Sequence, residues 1–354
     1  AAARFFQQQL ATSTKAQTYL DRRGVDAENR RRFAIGHAPE GWDGLKSALG
    51  TDERRLRLLD RVGLLSKNDA GRVYDKFRNR IVFPIHDRRG RVIGFGGRVI
   101  EKDDSPKYLN SPETPLFHKG RELYGLWQVR QAHSKIPRLV VVEGYMDVVA
   151  LFQYGVTTAV ATLGTATTPD QAELLFRNAA DVYFCFDGDR AGRGAAWKAL
   201  ESVLPRMRDG RQAFFLFLPE GEDPDSIVRS EGAAGFEARL QQAVPLSEFL
   251  FNSLGEDINL RSLDGKARLA ERARPLLNQI PDGAFRDLMF QQLAQLTGVG
   301  AAPAATEAVP QRSPRRAPVV PAPRMSLVRT AITLLVQHPA LAEAAEPPFD
   351  FAAL

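Results

Sequence analysis

Six carboxylates in three short stretches of this 354-residue sequence have the types and spacings needed to hold a hard cation. Glu143 closes an apolar run at 138–143, and Asp147 follows one helical turn after Gly144. Asp187 and Asp189 close a second run in Phe186-Asp187-Gly188-Asp189. Asp223 and Asp225 follow a third in Glu220-Gly221-Glu222-Asp223-Pro224-Asp225. Taken singly, Asp187-Gly188 is an ordinary turn and Asp223-Pro224 an ordinary bend. Taken together at three strand ends, they would crowd like charges that repel strongly in a low dielectric. Protonation would relieve that repulsion, but a divalent ion with oxygen ligands answers it better. Mg²⁺ is the expected ion, with Mn²⁺ as a substitute.

The elements that must position these acids follow from the apolar pattern. Runs at 138–143, 157–161, 181–186 and 212–218 predict strands, and 145–154, 170–178 and 191–204 predict the helices between them. Strands that are apolar on both faces and alternate with helices indicate a parallel sheet covered by helices. In such a sheet, ligand groups gather outside the carboxyl ends of the strands, where all three acid stretches fall. The expected class is α/β + α: a parallel-sheet α/β domain at 137–232, flanked by a basic α+β subdomain at 1–136 and a helical bundle at 233–298. A Pro/Ala-rich linker is expected at 299–324 and a final amphipathic segment at 325–354.

Within 1–136, a helix is expected to stop at Gly24, and 81–85 and 91–95 predict two strands joined by Asp87-Arg88-Arg89-Gly90. The stretch 105–115 holds three prolines and predicts an extended loop. Gly94, Gly96 and Gly97 permit a tight turn or close approach to a ligand. They form no dinucleotide fingerprint, because no helix follows directly.

Composition narrows the classes. The formal net charge is +6, but residues 1–136 carry 27 Lys and Arg against 16 Asp and Glu, a net of +11, and residues 137–354 carry 21 against 26, a net of −5. A basic part joined to an acidic part suits a polyanion-binding surface beside a carboxylate site, although an Arg-rich genome alone would give the same count. A single cysteine, Cys185, excludes an internal disulfide and a Cys-based zinc site, and it reads as a small core residue between Phe184 and Phe186. His37, His86, His118, His133 and His338 are scattered and form no zinc cluster. The longest apolar runs are too short to span a bilayer, no signal peptide is visible, and a cytoplasmic location is expected. The sequence begins without Met, as expected of a piece of a longer protein.

Val142-Glu143-Gly144-Tyr145-Met146-Asp147 followed by Phe186-Asp187-Gly188-Asp189 resembles the Toprim domain of bacterial primases, topoisomerases and some nucleases. Four further segments are similar to bacterial replicative primases: Phe77-Arg78-Asn79-Arg80-Ile81-Val82-Phe83-Pro84-Ile85, Ile93-Gly94-Phe95-Gly96-Gly97-Arg98, Pro106-Lys107-Tyr108-Leu109-Asn110-Ser111-Pro112-Glu113-Thr114 and Phe117-His118-Lys119-Gly120-Arg121-Glu122-Leu123-Tyr124-Gly125. The resemblance runs from about 19 to 298. It implies a Toprim fold for the central domain and RNA primer synthesis on single-stranded DNA, in which a ribonucleotide 3′-hydroxyl attacks the α-phosphate of an incoming ribonucleoside triphosphate. It implies Glu143, Asp187 and Asp189 as catalytic residues, and those three with Asp147, Asp223 and Asp225 around two cations. Arg23, Arg98, Lys107, Asn110 and Lys119 are implied to bind nucleotide or template.

The resemblance also implies partners: the template, an RNA–DNA primer duplex, the replicative helicase, and single-stranded DNA-binding protein as a further contact. The family's N-terminal zinc-binding domain is not expected in this sequence, and 325–354 is expected to be only the start of its helicase-binding domain. The rival classes are a Toprim topoisomerase, which needs a nucleophilic tyrosine, a Toprim nuclease, and a nucleic-acid-binding module without catalysis.

Overall fold

A computed structural model describes residues 1–101, 105–164 and 166–298. The linker expected at 299–324 and the segment at 325–354 lie outside the described residues.

The chain opens with three helices, α1 (Ala2–Thr12), α2 (Thr14–Arg22) and α3 (Ala27–Arg32). Ser13 caps α2 by accepting the Ala16 N–H, and Asp26 caps α3 by accepting the Asn29 N–H. Strand β1 (Gly36–Ala38) leads to α4 (Gly44–Leu49), α5 (Glu53–Arg61) and an antiparallel pair, β2 (Leu65–Lys67) and β3 (Val73–Asp75). The buried Asp75 carboxylate accepts the Leu45 and Lys46 N–H groups and so satisfies the start of α4.

Then come β4 (Arg80–His86) and β5 (Val92–Val99), the hairpin expected around Asp87-Arg88-Arg89-Gly90, and β6 (Tyr108–Asn110). They form an antiparallel sheet ordered β1-β4-β5-β6. Strand β6 lies inside the stretch expected to be a loop, because pairing with β5 is a long-range choice that local composition does not encode. The glycines of β5 serve neither a turn nor a ligand loop. An added Cβ at Gly94, Gly96 or Gly97 would meet the rings of Phe117, Tyr145 and Phe77 respectively, so the bare backbone makes room for aromatic side chains.

The α/β domain follows α6 (Leu126–Ala132). It runs β7 (Leu139–Val142), α7 (Tyr145–Gln153), β8 (Ala159–Ala161), α8 (Pro169–Phe176), β9 (Asp181–Phe186), α9 (Arg190–Val203), β10 (Gln212–Phe217), α10 (Pro224–Leu240) and β11 (Val244–Pro245). The order is β11-β10-β9-β7-β8, parallel throughout except for β11 at one edge. All four residues of β7 are buried, which is why its sequence shows no alternation. Because β7, β9 and β10 are neighbours in this order, their carboxyl ends lie side by side.

Three helices complete the described chain: α11 (Leu246–Gly255), α12 (Leu263–Leu277) and α13 (Ala284–Thr297). Helix α10 links them to the sheet and kinks at Gly232, where φ is +69°. Phe249 of α11 stacks on Phe215 of β10 with ring centroids 4.5 Å apart. One apolar core runs from Leu10 through the parallel sheet to Leu293, with a smaller cluster around Phe6, Leu45, Phe77 and Phe95. Among the described residues, no helix is long and apolar enough to cross a membrane.

Gly188 lets the acid-bearing turns of β9 and β10 meet. A Cβ there would come within 2.0 Å of the Leu218 carbonyl oxygen, a backbone atom that cannot swing away. Gly188→Ala is therefore expected to cost about 1–3 kcal/mol, the usual range for forced overpacking. Thermal unfolding should show this as a Tm lowered by roughly 2–10 °C; an unchanged Tm would mean the two turns are not in contact.

Candidate active site

The three acid stretches converge as their strand ends require. Glu143, Asp147, Asp187, Asp223 and Asp225 line one cavity of about 530 Å³, together with Arg23, Arg98 and Lys107. The acids all come from the parallel-sheet domain and the cations all come from the first 107 residues. The cavity is thus a seam between the two.

Each acid also has a local role. Asp147, in the first turn of α7, accepts the Gly144 N–H at 3.0 Å. Asp189 caps α9 through the Gly192 N–H, and Asp223 caps α10 through the Ser226 N–H, each at 2.7 Å. The buried Asp225 pairs with Arg229 one turn along α10. Asp189 does not reach the cavity wall, yet its charge still acts on Glu143 and Asp187.

Crowding raises the proton affinity of four of the six acids. Burial pushes the Glu143 carboxyl up, and the charges of Asp187 and Asp189 push it further. Burial raises Asp187 as well, with Asp223 and Asp189 adding to it and Lys107 opposing from across the seam. Asp225 is raised by burial despite its bond to Arg229. Asp147 is pushed furthest, from 3.8 to about 8, by burial first and then by Asp223, Asp225 and Asp187.

This donor set is anionic, all oxygen and held together against its own repulsion, which fits a hard divalent cation. Among the described residues, no three acidic, imidazole or thiol groups stand close enough to close around one ion. An ion here would take one or two carboxylates and fill its remaining positions from water and substrate phosphate. That is the usual habit of Mg²⁺.

The cations differ in setting. Arg98 is buried to 7% exposure, donates to the Tyr108 hydroxyl and lies over the Tyr108 ring, 5.2 Å from its centre. Lys107 is exposed beside the same ring, and Arg23 is half-buried against Tyr19. Arg23, Arg98 and Lys107 also wall a second cavity of about 730 Å³, so the basic side extends beyond the acids.

Asn110 and Lys119 lie beside the acid cavity rather than on its wall. The Asn110 Nδ2 and the Lys119 Nζ both approach Gly164, which does line it. The Asn110 amide is engaged within the fold, donating to the Leu163 carbonyl at 2.9 Å and accepting the Tyr145 hydroxyl at 2.6 Å. One amide hydrogen and one carbonyl lone pair remain beyond these two bonds. Lys119 opens a turn of 3₁₀ helix at Lys119–Arg121, and its N–H donates to Glu113.

Sequence reasoning missed three features. Tyr108 stands on the cavity wall, as do Thr162 and Thr167 of the loop after β8. Arg229 bridges to Asp225, a pairing that i, i+4 spacing on α10 could have revealed. On the outer face, half-exposed Trp42 meets Tyr74 edge-on at 5.1 Å, and the Arg78 guanidinium lies 4.3 Å from the Trp42 ring and 4.8 Å from the Tyr74 ring. Only folding brings those three residues together.

Three family models match the chain: the DNA primase catalytic core N-terminal domain at residues 5–130, a Toprim-like domain at 140–228, and the DnaB-helicase binding domain of primase at 247–302. The last match falls on the helical bundle, upstream of the 325–354 segment to which the sequence reading assigned helicase docking. The chain is 52% identical over 353 residues to a DNA primase of Escherichia coli strain K12, covering 97% of this chain and 59% of that protein. It thus spans about three-fifths of that relative's length. A solved structure of the E. coli primase catalytic core is 54% identical, with a TM-score of 0.82, and the match covers 85% of this chain and 96% of that one. A structure of the DnaG primase catalytic domain bound to ssDNA is 54% identical, with a TM-score of 0.81, over 84% of this chain and 93% of that one.

The Asp147 shift gives a pH dependence with a definite sign. The folded chain keeps the proton up to about pH 8, whereas the unfolded chain releases it near 3.8, so this group's contribution to stability declines as pH rises between those values. In metal-free protein, Asp147→Asn is expected to raise Tm more at about pH 8 than at about pH 5. In the parent protein, Mg²⁺ is expected to stabilise more at the higher pH. Calorimetry with and without Mg²⁺ measures both; a Mg²⁺ effect larger at low pH would remove the acid cluster as its origin.

Proposed function

The chain belongs to the bacterial DNA primase family, and on that premise we propose that it is the polymerising part of a primase, joining ribonucleotides opposite a single-stranded DNA template. The observation that carries this reading is the seam cavity, where strand-end carboxylates meet Arg23, Arg98 and Lys107. Nucleotidyl transfer needs that juxtaposition: acids for cations that balance developing charge, and basic groups that hold a triphosphate in line.

Glu143, Asp147, Asp187, Asp223 and Asp225 on the cavity wall, with Asp189 beside it, would supply the carboxylates for Mg²⁺, or Mn²⁺ in its place. When bound, such ions stabilise the attacking and leaving oxygens of an in-line displacement. Arg98, fixed over Tyr108, presents a fork suited to phosphate oxygens, and the exposed Lys107 adds a movable charge. Glu143 stands exposed at the cavity with its proton affinity raised, so it is suited to accept the 3′-hydroxyl proton as the bond to the α-phosphate forms and pyrophosphate leaves.

The Trp42, Tyr74 and Arg78 platform is suited to the template. Aromatic faces and guanidinium planes stack on bases without regard to sequence, as template tracking requires. The similar catalytic domain with bound ssDNA supports a single-stranded partner. The helicase-binding match at 247–302 supports a replicative helicase as a further partner. The RNA–DNA primer duplex, single-stranded DNA-binding protein and a cytoplasmic setting at the fork belong to the same reading.

A topoisomerase needs a nucleophilic tyrosine at the acids. Tyr108 is the tyrosine on the cavity wall, where burial pushes its hydroxyl up to about 12 and Arg98 donates to it. Such a group is a poor nucleophile.

Glu143→Gln and Asp187→Asn are each expected to lower primer synthesis by at least about a hundredfold, the scale for losing a group that stabilises transition-state charge. Labelled ribonucleotide incorporation on single-stranded DNA measures the loss and circular dichroism checks the fold; full activity in both variants would end the proposal. Trp42→Ala is expected to weaken binding of a labelled oligothymidine by roughly tenfold, since one stacked base is worth ~1–3 kcal/mol. Fluorescence anisotropy reads this directly, and an unchanged affinity would take the template off that platform.

A further inference from the structure

The loop carrying Arg23 is fastened to the acid domain from two helices. From α7, the Gln153 side chain donates to the Gly24 carbonyl at 2.6 Å and accepts the Asp26 N–H at 2.9 Å. From α10, Arg229 donates through Nη2 to the Arg23 carbonyl and through Nε to the Asp225 carboxylate. Gly24 sits at φ +61° against the Arg229 guanidinium, where a Cβ would come within 2.4 Å of Nη1. One planar fork therefore touches both an acid of the cavity and the backbone of a cation on its opposite side. Arg23 in turn acts on Asp225 electrostatically across the seam.

We propose that Arg229 is a positioning residue that locks Asp225 and Arg23 into one arrangement, so that the divalent cation and a phosphate group bind as a coupled pair. The inference rests on the nucleotidyl-transfer reading above and extends it to a residue that need not touch substrate. The geometry favours this over simple domain stapling for two reasons. Gln153 already fastens the loop by two hydrogen bonds without touching an acid. Arg229 uses separate nitrogens for its two partners, a division that the planar guanidinium allows and a lysine ammonium on its longer, flexible stem reproduces poorly. With Arg229 in place, the Asp225 carboxylate and the Arg23 backbone are held by one guanidinium. Without it, Asp225 would be a buried carboxylate lacking its partner, and the Arg23 loop would hang on Gln153.

The test is calorimetric Mg²⁺ binding to the nucleotide-free 354-residue chain, read beside steady-state primer synthesis on single-stranded DNA with Mg²⁺, nucleotide and template varied in turn. The Mg²⁺ dissociation constant should move with the Mg²⁺ dependence of the rate. Arg229→Gln is expected to raise the Mg²⁺ concentration for half-maximal rate by roughly ten- to a hundredfold, the usual effect of removing a partner that orients a metal ligand. It is expected to raise a phosphate-dependent constant as well. That constant is the nucleotide KM if Arg23 holds the triphosphate, and the template half-saturation if it holds the strand. Gln153→Ala should raise the same phosphate-dependent constant while leaving the Mg²⁺ dependence unchanged. Arg229→Gln combined with Arg23→Gln should lose little more than Arg23→Gln alone on that constant.

Arg229→Lys covers the case in which the Gln variant does not fold. It keeps a charge beside Asp225 but not the bridge, so Mg²⁺ dependence should stay near that of the parent while the phosphate-dependent constant rises. Parental values of both constants in Arg229→Gln, or in Arg229→Lys where the Gln variant is unfolded, would overturn the clamp, as would fully multiplicative losses in the double variant. An inactive parent chain would instead overturn the polymerase reading itself.

Discussion

Everything at this site depends on like charges being held together. Three neighbouring parallel strands are followed by carboxylates, and five of the six line one cavity. The fold contains the repulsion with devices of ordinary kinds. Helix N-termini receive Asp189 and Asp223, a backbone N–H receives Asp147, and Arg229 receives Asp225. Among the described residues, Glu143 and Asp187 have no such partner, and burial and neighbouring acids raise their proton affinity as they raise that of Asp147. They are also the two best placed to gain from an added cation.

The basic subdomain has its rationale in the same constraint. Its antiparallel sheet carries Arg98 on β5 and sets Lys107 immediately before β6, while the turn after α2 supplies Arg23. A continuous apolar core joins this subdomain to the parallel sheet, so cations and acids sit on one packed unit. Burying Arg98 would be costly without compensation, because a charge removed from water needs hydrogen bonds or polarisable neighbours. Tyr108 supplies both, through its hydroxyl and its ring. The site is therefore divided between two domains, and neither half alone has the charge pattern that the chemistry requires.

Much of this was legible in the residues. The strand at 181–186 agrees residue for residue with the structure, and β7 and β10 agree to within a residue or so, because mostly buried strands are written as nearly unbroken apolar runs. The meeting of the acids followed from strand ends in a parallel sheet. What was not legible depends on pairings between distant parts of the chain. Strands β6 and β11 are short and take their identity from the strands beside them. Asn110 has the chemistry of a ligand-binding amide, yet Tyr145 and Leu163 claim half of it, and no local pattern announces either partner. The Trp42 platform draws on residues some thirty positions apart, and the Arg229 bridge reaches from α10 to the turn after α2.

The balance of charge on the cavity wall bears on how a nucleotide could enter. Five carboxylates face three basic side chains, so the wall holds more acidic than basic groups. A bare triphosphate would bring several more negative charges to these carboxylates. Divalent ions reverse that sign, and because no three protein groups close around one ion, they leave coordination positions for phosphate oxygens. An open, electronegative site of this kind favours a nucleotide that arrives already carrying its metal. On the proposed reading, the basic wall would be left to hold the phosphates that the metal leaves uncovered.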